Sequence, residues 1–240
     1  MNFNNVYVDN KRAQSYSKLD FPNTYYLAYR DLPEIIAKHT AGKIAVDFGC
    51  GTGRSTRFLK KLGFQTTGVD ISADMVKLAV EKDSAGDYRV IKDELTKHLN
   101  PNYYDLILAV FTFDNIPDEK LKNRILSDLS KLINKNGRVI ILVSSPEIYK
   151  HEWASFSTKD FPENKTAKTG DKVKIVMTDV EDSRPVEDII VYEEDYKKIF
   201  QSAGFDIESI YKPLGKTTEP YKWINETKIA PWNIYVLKKR

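Results

Sequence analysis

The chain has 240 residues, of which 41% are hydrophobic and 30% charged, so it is long enough for one sizeable soluble domain and unlike disordered or collagen-like sequences. Its 37 basic and 34 acidic residues leave a net charge of +3, too small and too scattered to indicate a nucleic-acid partner. Cys50 is the only cysteine and the three histidines lie far apart, which excludes an internal disulfide and predicts no metal site.

The start of the chain, "MNFNNVYVDNKRAQSYSKLD", has no long apolar stretch and is not expected to be a signal peptide, and no run in the chain approaches the length of a membrane span. We therefore expect a cytoplasmic protein without a membrane partner. The stretch "YYLAYRDLPEIIAKH" at 25–39 has helical spacing with a break near Pro33. Residues 1–40 are predicted to form a helical cover outside the main sheet.

Between residues 43 and 145, strand-like and helix-like segments alternate. The strand-like segments are "KIAVDF", "FQTTGVD", "DYRVI", "YDLILAVF" and "RVIILVSS". The helical segments are "STRFLKKLG", "SADMVKLAVEKD" and "DEKLKNRILSDLSKLINKNG". The second helix is expected to begin after a capping Ser72, and the third to end at Gly137. This alternation predicts a parallel sheet with helices on both faces.

The pattern changes after Ser145. The segments "KVKIVMTDV" and "EDIIVYEEDY" are strand-like with turn residues between them, so a β-hairpin is predicted within an insertion at 146–192. A helix at "EEDYKKIFQSAGF" and two paired strands at "FDIESIYK" and "WNIYVLKK" complete the predicted C-terminal part, 193–240. We expect a single α/β domain over 1–240, with a Rossmann-like, seven-stranded, mostly parallel sheet whose last strand is antiparallel.

Glycines separate the first strand from the first helix, as Gly49-Cys50-Gly51-Thr52-Gly53. Such a turn lets a ligand approach the main chain closely. A dinucleotide site usually reads G-x-G-x-x-G/A, and Arg54 or Thr56 stands where its third small residue belongs. Asp70, at the end of the second strand, can accept both ribose hydroxyls of either NAD or S-adenosylmethionine, or simply precede a helix. These residues alone leave both cofactors open.

Four motifs in order resemble the successive motifs of class I S-adenosylmethionine-dependent methyltransferases. They are "VDFGCGTG", "GVDIS", the acidic pair Asp93-Glu94 and "YDLILAVFTFDNIP". The resemblance covers about residues 43 to 145, and "YEEDYKKIFQSAGFDIESIY" is similar to the C-terminal part of small-molecule members. It implies S-adenosylmethionine as the cofactor.

The resemblance also implies which residues hold that cofactor. They are Asp47, Gly49, Cys50, Gly51, Gly53, Asp70, Ile71, Asp93, Glu94, Val110 and Phe111. The glycines would line the methionine and ribose part, with Cys50 as a small buried loop residue. Asp47 would reach the ammonium group through main chain or water, and Asp70 would hold the ribose hydroxyls.

For the rest of the cofactor, the resemblance implies that Ile71 would pack on the adenine. Asp93, or its neighbour Glu94, would accept a hydrogen bond from the adenine amino group. Val110 and Phe111 would lie beside the methionine portion.

Three residues are candidates for the chemical step. His151 is the preferred candidate base because an unperturbed imidazole titrates near neutral pH, although a histidine in a surface loop more often has no catalytic role. Asp114 can hydrogen-bond a substrate or cap the next helix, and its neighbour Asn115 has the same two explanations. Tyr16, with Tyr25 and Tyr26, can cover the sulfonium or form the apolar side of a packed helix.

The predicted function is methyl transfer from S-adenosylmethionine to oxygen, nitrogen or carbon of a small molecule. Two alternatives stay open, a non-catalytic S-adenosylmethionine-binding partner protein and an NAD(P)-dependent oxidoreductase. The inserted hairpin and the aromatic segment "EPYKWINETKIAPW" are expected to form a substrate wall or a homodimer contact.

Overall fold

A computed structural model describes residues 22–240 of the chain, so Tyr16 lies outside the described residues. Ten strands form two sheets. In chain order they are β1 (Ile44–Phe48), β2 (Gln65–Asp70), β3 (Asp87–Val90), β4 (Tyr104–Val110), β5 (Ile133–Ser144), β6 (Phe156–Ser157), β7 (Lys172–Met177), β8 (Val186–Ile189), β9 (Phe205–Tyr211) and β10 (Trp232–Lys239). The main sheet has the order β3-β2-β1-β4-β5-β10-β9, and β6-β7-β8 form the second.

Strands β1 to β5 of the main sheet run parallel to one another, whereas β10 runs antiparallel to both β5 and β9. The last strand thus inserts between two earlier ones. The predicted seven-stranded, mostly parallel α/β fold with an antiparallel final strand is confirmed.

The described helices cover both faces of this sheet. They are α1 (Thr24–Arg30), α2 (Leu32–His39), α3 (Arg54–Lys61), α4 (Ala73–Lys82), α5 (Glu119–Leu132) and α6 (Glu193–Ser202). Side chains of α1, α2 and α3 share one apolar core with the inserted hairpin, and those of α5 and α6 belong to a second core on the opposite face. Successive residues of β4 point to opposite cores, because side chains alternate along a strand.

The capping serine of α4 is confirmed, since the Ser72 hydroxyl accepts a hydrogen bond from the Met75 N–H. The predicted end of α5 at Gly137 is wrong. The helix ends at Leu132, because the buried Ile133 already pairs with Tyr104 in the sheet. Gly137 is needed instead for close packing, since a Cβ there would lie 2.7 Å from the Tyr104 carbonyl oxygen.

The insertion after β5 contains the predicted hairpin, with Ile175 opposite Val186 in antiparallel register. The sequence analysis missed the two-residue strand β6, which pairs with β7 and widens the hairpin into a small sheet. The hairpin strands are shorter than predicted, and α6 begins at Glu193. No helix within residues 22–240 is long and apolar enough to span a membrane.

Candidate functional site

The glycine loop after β1 has a backbone that only glycine adopts readily. Gly49, Gly51 and Gly53 all have positive φ, at 76°, 53° and 78°. A Cβ at Gly49 would collide with Thr112 and one at Gly53 with Tyr88, whereas a Cβ at Gly51 would meet nothing within 4 Å. The loop is therefore packed from behind at two glycines, and its main chain faces open space at Gly51.

Asp47 lies fully buried in β1, at the base of this loop. Its Oδ2 accepts hydrogen bonds from the hydroxyls of Ser55 at 2.7 Å and Thr56 at 2.6 Å. Its Oδ1 is buried without a hydrogen-bond partner among the described residues. Burial raises the pKa of Asp47 to about 6, although the two hydroxyls lower it. This buried oxygen therefore keeps an unused acceptor position, which an ammonium group could reach through main chain or water.

Asp70 connects the end of β2 to the glycine loop. Its Oδ2 accepts from the Gly51 N–H at 2.8 Å, and its Oδ1 accepts from the Ser72 N–H at 2.9 Å. Burial raises the pKa of this carboxyl group, and the N–H donors lower it. Each oxygen retains a second lone pair, so the carboxylate can accept hydroxyl groups as well as hold the loop.

The residues predicted to surround an adenine follow β2 and β3. The Ile91 N–H donates to the Asp70 carbonyl, which holds the segment after β3 beside the end of β2. Ile71 is half-buried. Asp93 and Glu94 are about half exposed, and Asp93 is 2.5 Å from Nε2 of His98. The adenine roles of these residues stay predictions.

Val110 is the last residue of β4, and Phe111 follows it next to the glycine loop. Phe111 has a φ of 59°, which is uncommon for a large side chain. Its N–H donates to the Leu142 carbonyl at 2.9 Å, and its carbonyl accepts from the Asn115 side chain at 3.1 Å. The neighbouring Thr112 hydroxyl donates to the Phe48 carbonyl, so this turn packs against the loop.

Cys50 is buried in the loop, and its pKa is raised well above the usual range by burial and by the charges of Asp47 and Asp70. A protonated thiol of this kind is a poor nucleophile. Its position agrees with the expected small buried loop residue.

Arg54 also lies at the site, although in the sequence it was interpreted only as evidence against a dinucleotide-binding loop. It begins α3 directly after Gly53, and its guanidinium carbon lies 5.5 Å from the ring centres of both Tyr25 and Tyr29. A positive charge is unfavourable at the N-terminus of a helix. An arginine at this position of the sequence therefore already indicates a functional role. Arg54 can supply a positive charge to a carboxylate ligand beside the loop.

A deep pocket adjoins Phe111. It is lined by Tyr25, Phe111, Asp114, Asn115, Ser144, Ile148, Tyr149, Phe156, Ile175, Met177, Val186, Asp188 and Trp232. These residues come from α1, the ends of β4 and β5, the inserted sheet and the start of β10. The cavity volume within this lining is about 40 Å³, which is room for only a small chemical group.

Two buried carboxylates lie in the pocket wall. Asp114 accepts from the N–H and the hydroxyl of Ser144, and Asp188 accepts from the Tyr149 hydroxyl at 3.0 Å. Burial and the charge of Asp188 raise the pKa of Asp114 well above its usual range. Burial also raises the pKa of Asp188, to about 7. The sequence analysis named Asp114 but missed Asp188.

His151 is not among the described residues that line the pocket. It is partly exposed, its Nε2 lies 3.2 Å from Glu147, and its ring contacts that of Trp153 edge-on. Of the two predicted catalytic residues that lie within residues 22–240, Asp114 lines the pocket and His151 does not. The pocket also contains Tyr25, whereas Tyr26 contacts Tyr221.

Comparison with known proteins agrees with this geometry. A family model described as "Methyltransferase domain" matches residues 23–210. An uncharacterized methyltransferase of Bacillus cytotoxicus is 30% identical over 112 residues, which are 47% of this chain and 51% of the relative. A second one, from Bacillus cereus, is 28% identical over the same length. The chain spans about half the length of the curated relatives it matches.

Solved structures resemble the chain over almost its whole length. An S-adenosylmethionine-dependent methyltransferase from Clostridium acetobutylicum has a TM-score of 0.63 at 17% identity, covering 96% of this chain and 98% of that one. The CcbJ methyltransferase from Streptomyces caelestis has a TM-score of 0.64 at 14% identity, covering 92% and 100%. At these identities the likeness concerns the fold.

Proposed function

Because the chain belongs to the methyltransferase domain family over residues 23–210, we propose that it binds S-adenosylmethionine and methylates a small molecule. One observation carries this proposal. Phe111 follows β4 beside the glycine loop and also lines the deep pocket, so a donor on the loop and an acceptor in the pocket would meet there. This proposal includes oxygen, nitrogen and carbon as acceptor atoms.

The size of the pocket favours a small acceptor over a macromolecule. Its cavity volume of about 40 Å³ lies among mostly buried side chains and admits only a small group, whereas a macromolecular acceptor would also need a groove on the surface beside it. The near-neutral charge of the chain gives no support for nucleic acid.

The proposed mechanism depends mainly on positioning. S-adenosylmethionine supplies an activated methyl group on a positively charged sulfur. The unpaired Oδ1 of Asp47 would accept from the ammonium group, Arg54 would attract the carboxylate, and Asp70 would bind the ribose hydroxyls. Phe111 and the other aromatic rings exclude water from the reaction path, so that the acceptor approaches in a fixed orientation.

Two measurements test this function against the alternatives. We expect calorimetry to detect binding of S-adenosylmethionine and none of NAD. Tighter binding of NAD would identify an oxidoreductase. Radiolabelled methyl transfer into a metabolite extract would then distinguish an enzyme from a partner protein that binds the cofactor without turnover.

A homodimer through the inserted hairpin stays a prediction. The hairpin side chains Ile175, Met177 and Val186 face the pocket, so any contact with a second copy would use other atoms of this sheet. Light scattering of the purified protein measures the oligomeric state directly.

A further inference from the structure

The pocket wall contains four aromatic rings in mutual contact. The ring centres of Tyr25 and Phe156 are 5.0 Å apart, and those of Phe111 and Trp232 are 4.7 Å apart. Tyr25 also contacts Phe111 and Trp232, at 5.9 Å each. The Tyr25 hydroxyl lies 3.3 Å from the sulfur of Met177, a weak acceptor. Ring faces grouped in this way attract a positive charge that has lost its water.

The same pocket holds the carboxylates of Asp114 and Asp188, both more than nine-tenths buried. The described residues that line the pocket include no lysine, arginine or histidine. Two like charges close together in an apolar surrounding are unfavourable unless a proton or a cation neutralises one of them. The cavity thus combines aromatic faces with an acidic pair that is not neutralised from within its lining.

Lys122 is the cation whose charge lowers the pKa of Asp114, and it is not among the described residues that line the pocket. Its Nζ donates to the Ile116 carbonyl, outside the pocket lining. For Asp114, the hydrogen bonds from Ser144 have a larger influence than the charge of Lys122. Lys122 therefore offsets part of the charge of Asp114 but is not one of the described residues that line the pocket.

We propose that the methyl acceptor is a small organic amine, bound as its ammonium ion between the aromatic rings and the carboxylates of Asp114 and Asp188. This inference rests on the proposed function and narrows it to nitrogen as the acceptor atom. An ammonium ion can take the place of the proton that the buried pair otherwise retains, whereas a neutral alcohol supplies no positive charge and a carboxylate would add a third negative group.

The bound ammonium ion gives one proton to an ionised carboxylate of the acidic pair, which frees the nitrogen lone pair. The lone pair attacks the methyl carbon, a C–N bond forms, and the S–CH₃ bond breaks with its electron pair remaining on sulfur. The products are an N-methylammonium ion and the neutral thioether S-adenosylhomocysteine, and the carboxylate later releases its proton to water.

The test compares two probes that differ in the charged group alone, 2-phenylethylamine and 2-phenylethanol, each titrated into the protein saturated with S-adenosylhomocysteine. Calorimetry measures binding, and the intrinsic tryptophan fluorescence, to which Trp232 in the pocket wall contributes, provides a second signal. We expect the amine to bind at least about ten-fold more tightly than the alcohol. The doubly substituted variant with Asp114→Asn and Asp188→Asn should lose this preference, whereas Asp206→Asn on exposed β9 should retain it.

Equal binding of the two probes, or no binding of the amine up to about 10 mM, would overturn the amine proposal. The cofactor titration separates the two hypotheses. If S-adenosylhomocysteine itself does not bind, the proposed function fails. If it binds and the wild-type protein does not prefer the amine, only the inference about the acceptor fails. The comparison of probes in the wild-type protein does not depend on whether a variant folds.

Discussion

At the scale of single residues, the site depends on carboxylates that the fold holds away from water. Asp47 and Asp70 lie at the glycine loop, and each has a pKa raised by burial. They differ in their hydrogen bonds, since Asp70 binds two backbone N–H groups and Asp47 keeps one oxygen without a described partner. The two residues should therefore affect cofactor binding in different ways.

Replacing Asp47 tests the proposed contact with the cofactor's ammonium group. Because the pKa of Asp47 is about 6, wild-type affinity for S-adenosylmethionine should fall as the pH decreases through 6 and the carboxylate becomes neutral. Asp47→Asn should lower the affinity about ten-fold at pH 7.5 and remove this pH dependence. Calorimetry between pH 5 and pH 8 measures both effects, with Asp87→Asn on exposed β3 as the control. A variant that keeps the wild-type profile would exclude Asp47 from the contact.

Replacing Asp70 tests the ribose contact. Asp70→Ala should weaken cofactor binding by about 1–3 kcal/mol, because the ribose hydroxyls and the Gly51 N–H lose their acceptor. The expected loss should be smaller for a cofactor analogue without ribose hydroxyls. An unchanged dissociation constant for S-adenosylmethionine would remove Asp70 from the site.

At the scale of elements, one side chain joins three segments that are distant in sequence. Glu226 is fully buried, and its Oε1 accepts from the Thr24 hydroxyl at 2.6 Å and the Ala154 N–H at 2.7 Å. Its Oε2 accepts from the backbone N–H groups of Ile224 and Asn225. Glu226 therefore fixes α1 and the loop before β10 against the inserted sheet, around the pocket.

Glu226→Gln should destabilise the protein by about 2–4 kcal/mol, because the amide nitrogen would face donors where an acceptor is needed. Urea unfolding measures this change, and Glu163→Gln at an exposed position is the matched control. A loss below about 0.5 kcal/mol would show that the four hydrogen bonds do not hold these segments together.

The elements also show how far the sequence predicts this fold. The alternating strands and helices of the sheet were predictable because their periodicity is local, as was the Ser72 cap. The end of α5 was not, since Ile133 leaves the helix to pair with β4. Strand β6 has two residues and forms through pairing with Met177, which no local pattern reveals.

The residues of the site also fall into those that the local sequence predicts and those that it does not. The glycine loop and Asp70 follow from adjacent residues, whereas the pocket joins Tyr25 to Trp232 across the whole chain. One local feature of the sequence indicates that Asp188 is buried, because it lies on the same face of β8 as the buried Val186. That signal identifies a buried carboxylate and not the partner that it faces.

At the scale of the whole molecule, the acidic pair should make stability depend on pH. The pKa of Asp188 is raised from about 3.9 in the unfolded chain to about 7, so the folded state retains a proton that the unfolded state has lost. Its stabilising contribution is complete below pH 4 and is lost as the pH rises through 7. In urea titrations, Asp188→Asn should reduce the fall in the free energy of unfolding between pH 5 and 7 by roughly 1–3 kcal/mol. Identical slopes for both proteins would contradict a raised pKa.

The antiparallel insertion of β10 has a consequence for synthesis of the chain. Until residues 232–239 are made, β5 has no neighbour on one side and presents an open edge that can pair with other chains. At about 5–20 residues per second, roughly 4–18 s separate the synthesis of Ser144, at the end of β5, from that of Trp232. During translation, the nascent chain therefore holds a complete glycine loop beside an unprotected strand, and chaperone binding to that edge would be most valuable in this interval.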